Sequence, residues 1–206
     1  MPEPPSLRNF STDDAEPAPI PIAMTDRSSL PTFRYHPDPL DTGSVAPSGA
    51  TCVVCDRPRG FVYAGPVYAE DDFEDTICPW CIADGSAARS LGATFVDGEA
   101  FPVDVPDPVI AEISERTPGF AAWQAEEWPS CCGDAAAFIG PVGIAEIRAK
   151  HRHLEGFVLR QIIYGLGISG GAATRMLESL RRDASPTAYL FECLHCAESL
   201  VHVDHM

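Results

Sequence analysis

Basic side chains are scarce in this sequence. Only 14 of its 206 residues are Lys or Arg, against 30 Asp or Glu, which gives a formal net charge of −16. A surface of this sign repels phosphate backbones. The composition therefore argues against sequence-independent binding of nucleic acid, and it favours a cationic partner or simple solubility.

Long apolar runs and a secretory leader are missing as well. No stretch approaches the roughly 18 consecutive apolar residues of a membrane span. No basic segment followed by an apolar one stands at the N-terminus. We therefore expect a cytoplasmic protein, and its 45% hydrophobic residues are enough for a core of ordinary size.

Aliphatic residues are few in the first 29 positions, where proline is frequent. Six prolines fall in this stretch: Pro2, Pro4, Pro5, Pro17, Pro19 and Pro21. A segment of this composition cannot bury enough apolar surface to offset its ordering entropy. The sequence predicts a disordered Pro-rich segment over residues 1–29 and a folded domain over residues 30–206.

Apolar patterns in the folded region are of both strand and helix type, which indicates an α+β fold. A strand-type run covers residues 61–68, and a helix capped by Asp107 is expected to end at Pro118. The other predicted elements are helices at about 81–91, 142–150, 154–165 and 171–182, a helical turn between Trp123 and Trp128, a short strand after the cysteines at 131–132, and a final hairpin of strands 189–192 and 199–203.

Cysteine, by contrast, is abundant and patterned. In a reducing compartment, Cys-x-x-Cys pairs indicate metal binding or redox catalysis rather than disulfides. The first two pairs, Cys52 with Cys55 and Cys78 with Cys81, have 22 residues between them. This spacing is typical of zinc-ribbon and treble-clef sites. It predicts a zinc module over about 51–91, and a helix that opens at the second pair favours the treble clef.

The motif "CPWC" alone also resembles the redox motif of glutaredoxins, whose first cysteine is activated at a helix N-terminus. A buried apolar strand leads into such motifs, whereas "AEDDFEDTI" precedes this one. The redox interpretation also leaves the first pair, Cys52 and Cys55, without a role. Structural zinc accounts for all four thiols.

The remaining cysteines are far apart in the sequence: Cys131, Cys132, Cys193 and Cys196. A second Zn²⁺ held by both groups would join the middle of the chain to its end, as a clasp over residues 131–196. Adjacent cysteines are an unusual pair of metal ligands. Two alternatives are therefore open: both Cys131 and Cys132 bind the metal, or only one of them does. If only one binds, the shell is completed by another group: Asp134, His195 or His202.

These features together predict two Zn²⁺ per chain and a small zinc-stabilised α+β protein. A treble-clef or zinc-ribbon-like module comes first along the chain. A helical segment follows it, and a zinc-knuckle hairpin closes the C-terminus.

An acidic stretch separates the two cysteine pairs of the zinc module. Five of the six positions from 70 to 75 are carboxylates: Glu70, Asp71, Asp72, Glu74 and Asp75. Such a run is usually a solvated loop. Because this one lies between two metal-binding turns, we expect a fixed negative patch that steers and contacts a basic protein.

Four motifs resemble, in the same order, the CbrC family of bacterial proteins. They are "LPTFRYHPDPL" at 30–40, "GPVYAEDDFEDTICPWCIADGSAA" at 65–88, "ERTPGFAAWQAEEWPSCCGDAAAFIG" at 115–140 and "SPTAYLFECLHC" at 185–196. The resemblance covers about residues 30–204. It implies a role in tolerance of a DNase-type colicin, similar to that of an immunity protein.

The third motif departs from the pattern of that family. The family commonly has His-Cys-Gly-Asp-x-Cys, whereas this chain has Cys-Cys-Gly-Asp-Ala-Ala over residues 131–136. The gain of Cys131 and the loss of the later cysteine suggest a swap of metal ligands.

Three functions are compatible with these features. A non-enzymatic zinc protein that binds a basic partner, such as a nuclease toxin, is favoured by the acidity and by the resemblance. A zinc-dependent hydrolase would need an open metal position and a base such as Asp134 or Glu127, although Cys-rich shells are usually closed. A cytosolic redox protein would use one Cys-x-x-Cys pair.

Overall fold

The computed structural model describes residues 27–206. The segment expected to be disordered, residues 1–29, therefore lies outside the described residues except for its last three. Those three form a 3-10 turn, Arg27–Ser29. Its arginine makes an ion pair with Asp38.

Strands and helices occur in separate groups along the described chain, which confirms the predicted mixture of the two. The strands are β1 (Val45–Pro47), β2 (Phe61–Tyr63), β3 (Ser130–Cys131), β4 (Asp134–Ala135), β5 (Ala137–Val142), β6 (Thr187–Glu192) and β7 (Ser199–Asp204). The α-helices are α1 (Pro79–Ala83), α2 (Ser86–Leu91), α3 (Asp107–Arg116), α4 (Ile144–Lys150), α5 (Glu155–Tyr164) and α6 (Gly171–Ser179).

The centre of the fold is an antiparallel sheet in the order β5-β6-β7. Its middle strand β6 is buried along most of its length. Successive side chains of a strand point to opposite faces. Ala188 and Leu190 accordingly contact one apolar cluster, and Tyr189 and Phe191 contact another. The sheet therefore has a covered layer on each side.

Helices α4, α5 and α6 cover the first face. Their apolar residues recur at helical spacing, and Ile147, Val158, Ile162 and Leu177 are all buried. The three helices expected here are thus present, with ends that shift by up to three residues at the last one. No helix of residues 27–206 is long and apolar enough to cross a membrane.

The second face is covered by an aromatic layer that comes mainly from an irregular segment, residues 118–129. Phe120 stacks on Phe138 with ring centroids 4.1 Å apart. Here the predicted helical turn between Trp123 and Trp128 is wrong. The backbone N–H of Trp123 donates to Asp204 Oδ2 at 2.7 Å instead of to a helical carbonyl. Long-range hydrogen bonds thus replace local ones.

The cysteine-rich part of the chain, residues 45–91, contains only short elements. The helix expected at 81–91 is two helices, α1 and α2, because Gly85 between them has a φ of +71°. The expected strand at 61–68 is limited to β2, and Tyr68 instead forms an isolated bridge with Thr94. Such short strands and helices alone give this region little stability.

At α3 the predicted cap is displaced by one residue. Pro106 occupies the N-cap, and Asp107 is the first helical residue. The carboxylate still lies in the first turn, where the helix dipole favours a negative charge.

A close approach of two backbones supplies a test of the packing. A Cβ atom at Gly119 would lie 2.0 Å from the Phe95 carbonyl oxygen, which is backbone and cannot move aside. We expect Gly119→Ala to lower the free energy of unfolding by about 1–3 kcal/mol. Chemical denaturation measures the change. Gly98→Ala, with no atom within 4 Å of its Cβ, is the matched control and should change it by less than about 0.5 kcal/mol.

Candidate metal centres

The first two cysteine pairs converge on one point. The sulfur atoms of Cys52, Cys55, Cys78 and Cys81 all lie within 4.8 Å of one another. Two of these separations, Cys52 to Cys81 and Cys55 to Cys78, are 3.9 Å. Four thiolates at about 2.3 Å from a tetrahedral metal ion lie about 3.8 Å apart. The cluster therefore has the size of a closed four-sulfur metal site.

A tight backbone turn presents the first pair. The N–H of Cys52 donates to the Arg57 carbonyl at 3.0 Å, and the N–H of Asp56 donates to the Cys52 carbonyl at 2.9 Å. Asp56 has a φ of +54°. This turn folds the two sulfurs of a Cys-x-x-Cys pair to the same side without help from a core.

The second pair lies at the start of a helix, as the sequence predicts. Cys78 is the N-cap residue of α1, and Pro79 follows it in the first turn. The N–H of Cys78 also donates to the Cys52 sulfur at 3.3 Å. Backbone donors of this kind stabilise a thiolate.

The thiols of the first cluster differ in pKa. Burial raises the pKa of the Cys52 thiol, but backbone N–H groups of Cys78, Cys55 and Val54 outweigh it and bring the pKa to about 7. Burial and the neighbouring sulfurs raise the pKa of Cys78 well above its usual range and that of Cys81 to about 11. The Cys52 thiolate therefore forms readily, and a bound cation would favour deprotonation of Cys78 and Cys81.

This pattern argues against the redox interpretation of "CPWC". A redox pair needs an accessible first thiol with a lowered pKa. Cys78 is buried and its pKa is raised. Its sulfur also lies 3.9 Å from that of Cys55, in the other pair, which makes it a member of the four-thiol cluster.

The other four cysteines form a second cluster of the same size. Its members, Cys131, Cys132, Cys193 and Cys196, also have sulfur atoms within 4.8 Å of one another. The Cys131 sulfur lies 3.7 Å from those of Cys132 and Cys196. Both adjacent cysteines thus fit one site. The alternatives in which Asp134, His195 or His202 supplies a ligand are not needed.

The adjacent cysteines reach the same point because they lie at a hairpin turn. Cys131 pairs with Asp134 across β3 and β4. The two residues between them, Cys132 and Gly133, have φ values of +57° and +74°. Positive φ at both central residues is what a type I′ hairpin turn requires. The turn directs both sulfurs to the side of the C-terminal pair.

The C-terminal pair repeats the backbone turn of the first pair. The N–H of Cys193 donates to the Glu198 carbonyl at 2.8 Å, and the N–H of Ala197 donates to the Cys193 carbonyl at 3.0 Å. Ala197 has a φ of +57°. Backbone N–H groups of Cys196 and His195 lower the pKa of Cys193 to about 6. The same local geometry therefore occurs once in each cluster.

Asp134 connects the second cluster to the rest of the domain. Its carboxylate accepts hydrogen bonds from Arg34 at 2.7 Å, Tyr35 at 2.8 Å and His195 Nε2 at 2.8 Å. Burial alone would raise its pKa, but these donors together lower it. His195 is part of the Cys193–Cys196 turn, so Asp134 holds that turn from outside the cluster. No pattern in the sequence indicates this network.

The two clusters differ in exposure. In the first, Cys52, Cys78 and Cys81 are buried. In the second, Cys132 and Cys196 are exposed. The sulfur separations in both are well beyond the roughly 2.05 Å of a disulfide bond, and all eight thiols are free.

The acidic stretch lies where the sequence predicts, on the loop that leads into Cys78. All five of its carboxylates are exposed. Phe73, in the middle of the stretch, packs against the core around the first thiol cluster. The N–H of Val53 donates to the Thr76 carbonyl at 2.9 Å. The loop is thus attached at both its centre and its end.

The fold and the two clusters define a class of protein: a mixed helix-and-sheet domain with two four-cysteine groups, each close enough to hold a metal ion. The chain belongs to the family described as "Uncharacterised protein family (UPF0167)", whose profile matches residues 30–205. That range agrees with the extent of the resemblance seen in the sequence. Its description makes no reference to colicins.

Relatives of the chain are found in distant bacteria. The UPF0167 protein Mb2317 of Mycobacterium bovis is 47% identical over 187 residues, which is 90% of this chain and 99% of the relative. The UPF0167 protein MT2352 of Mycobacterium tuberculosis gives the same values. The UPF0167 protein PA1536 of Pseudomonas aeruginosa is 39% identical over 177 residues, or 85% of this chain and 97% of the relative. No solved structure is significantly similar to the chain.

The network around Asp134 supplies a second test. We expect Asp134→Ala to lower the free energy of unfolding by about 1–3 kcal/mol, because it leaves two buried donors, the Tyr35 hydroxyl and the Ala135 N–H, without this acceptor. Denaturation of the metal-loaded protein measures it. Asp104→Ala, at an exposed carboxylate that accepts from Ser130, should change it by less than about 0.5 kcal/mol. Equal effects of the two substitutions would contradict the assigned role.

Proposed function

We propose that the chain is a zinc protein with two closed structural sites, which acts by binding a basic protein and not by catalysis. The observation that carries the zinc assignment is that each cluster offers four sulfurs at tetrahedral separations. The first site would belong to a treble-clef or zinc-ribbon-like module, and the second would clasp the C-terminal hairpin to the middle of the chain.

Zinc is the metal that fits this ligand set best. Soft thiolates in a tetrahedron select Zn²⁺ or iron–sulfur chemistry over hard cations. Two Cys-x-x-Cys turns that meet at one point are typical of structural Zn²⁺ sites. The short elements of residues 45–91 also favour a structural metal, since domains with little regular structure depend on bound metal for folding.

A hydrolase fits the arrangement less well. Zinc can activate water only when a coordination position stays open. Each cluster already provides four sulfurs, which fills a tetrahedron. Of the two proposed bases, Asp134 is engaged by Arg34, Tyr35 and His195, and Glu127 Oε2 lies 3.0 Å from His202 Nδ1.

The charge distribution supports a basic partner. Between residues 51 and 110 there are eleven acidic side chains and three arginines, Arg57, Arg59 and Arg89. The segment 144–183 has seven basic side chains against four acidic ones. The negative charge is thus concentrated around the zinc module and its acidic stretch. Fields of this kind raise the rate of association with a partner of opposite charge.

A nuclease toxin is the partner class that we favour. Nuclease surfaces are basic because they hold phosphates, and DNase–immunity pairs are among the tightest protein complexes. The resemblance of the sequence to the CbrC family points in the same direction. The contact would involve Glu70, Asp71, Asp72, Glu74 and Asp75.

Metal analysis tests the zinc assignment. We expect the purified protein to contain two Zn²⁺ per chain by elemental analysis, and Cys52→Ser or Cys132→Ser to reduce the content to one. Under a chelator the second site should lose its metal first, because Cys132 and Cys196 are exposed. Loss of both metals at the same rate, or a chain without bound metal, would contradict the assignment.

Charge reversal tests the partner. The double variant Asp71→Lys, Asp72→Lys should lower the association rate with a colicin DNase domain by about tenfold or more at low salt. Surface plasmon resonance measures the rate. The control variant Glu115→Lys, Asp183→Lys makes the same change in net charge at exposed sites elsewhere. If the wild-type chain does not bind the domain, or if both variants bind equally, the proposed function is wrong.

A further inference from the structure

A cavity of about 290 Å³ lies beside the acidic stretch. Its walls come from residues 64–68 and 120–126, and Glu74 and Asp75 lie at its edge. Small side chains and a proline, Ala121, Ala122 and Pro66, form much of its surface. It is separate from both thiol clusters, and none of their cysteines lines it.

One wall of this cavity carries a buried carboxylate, Glu126, which is only 4% exposed. Its Oε2 atom has two long contacts, 3.3 Å from the Asp97 N–H and 3.4 Å from the Tyr68 hydroxyl. Its Oε1 atom has no hydrogen-bond partner of normal geometry among the described residues. A buried carboxylate oxygen without a partner is energetically costly.

The position of Glu126 is fixed by the chain on either side of it. The N–H of Gln124 donates to Asp204 at 3.2 Å. On the other side, Trp128 is fully buried, and its indole Nε1 donates to the Ala136 carbonyl at 2.7 Å. With both flanks attached, the backbone that carries the Glu126 side chain is held in place.

The surroundings of Glu126 are negative. None of the ion pairs among residues 27–206 includes it. Asp97 lies close, and Glu74 and Asp75 stand at the edge of the cavity. Burial raises the pKa of Glu126 to about 7, although N–H groups of Asp97 and Phe120 and the Tyr68 hydroxyl oppose the rise. A cation in the cavity would offset this penalty.

We propose that the cavity binds an ammonium or guanidinium group, supplied by a Lys or Arg side chain of the basic partner. This inference rests on the proposed function. The charged end would pair with the carboxylate of Glu126. The methylene stem would lie against the alanines and Pro66, as the stems of long cationic side chains do at apolar surfaces. Glu74 and Asp75 would guide the cation to the opening.

Small analogues of the two side chains test the site directly. The zinc-loaded full chain is titrated with butylammonium and with butylguanidinium, and 1-butanol is the neutral control. We expect saturable binding of both cations, with shifts of the Tyr68 and Gln124 amide resonances, and none with the alcohol. Equal shifts with 1-butanol would overturn the proposal.

Variants locate the site. Glu126→Gln keeps the shape and removes the charge, and it should weaken the binding of both cations by about tenfold or more, since hydrogen bonds to charged groups are the strong ones. Ala64→Phe leaves Glu126 in place and fills the cavity from an exposed lining position. It should abolish binding even if the first variant is poorly folded. Asp71→Asn, outside the cavity, should keep the affinity within about twofold. Wild-type affinity in Ala64→Phe would contradict the location.

Measurements with a colicin DNase domain separate this inference from the proposed function. Weaker capture in both Glu126→Gln and Ala64→Phe supports the partner as the source of the cation. Capture that is unchanged in both variants overturns the inference and leaves the proposed function in place. Binding of the small cations without any capture of the domain keeps the cation site and removes the partner as its source.

Discussion

The convergence of four sulfurs at each of two points is the constraint on which the rest of this structure depends. Thiolates within 4.8 Å of one another repel strongly in a partly desolvated site, and a divalent cation reverses the sign of that interaction. Around the first cluster, β1 and β2 are three residues each. Elements this short do not supply enough regular packing to hold a loop as long as residues 64–77.

The second cluster is linked to the central sheet by Tyr35 and His36. Tyr35 donates to Asp134 beside the second cluster, and its carbonyl accepts from the N–H of Phe138 in β5 at 2.8 Å. Next to it, His36 Nδ1 lies 2.7 Å from the Pro118 carbonyl, at the start of the aromatic segment. A single short stretch near the beginning of the domain thus contacts the sheet, the aromatic layer and the carboxylate that holds the C-terminal turn.

The features that could be predicted from the sequence are those that depend on residues close to one another in the chain. The Cys52 and Cys193 turns need only six consecutive residues, so their spacing was sufficient to find them. Helices α4 to α6 follow from the spacing of their apolar residues. Residues 118–129 could not be predicted, because their hydrogen bonds go to distant groups such as Asp204 and Ala136. Glu126 gave no signal for the same reason, since its burial is imposed by its neighbours.

The acidic side chains of the helical segment and those of residues 61–110 differ in whether they form ion pairs. In the helical segment, Arg148 makes ion pairs with Glu155 and Glu178, which keeps the acids of that layer compensated. Among the described residues, no ion pair includes a carboxylate of residues 61–110. Uncompensated like charges destabilise a compact state by self-repulsion. A region with short strands and unpaired acids therefore needs another source of stability. A metal ion bound at the thiol cluster of this region would provide it. A metal ion bound there would hold this region without drawing on its carboxylates.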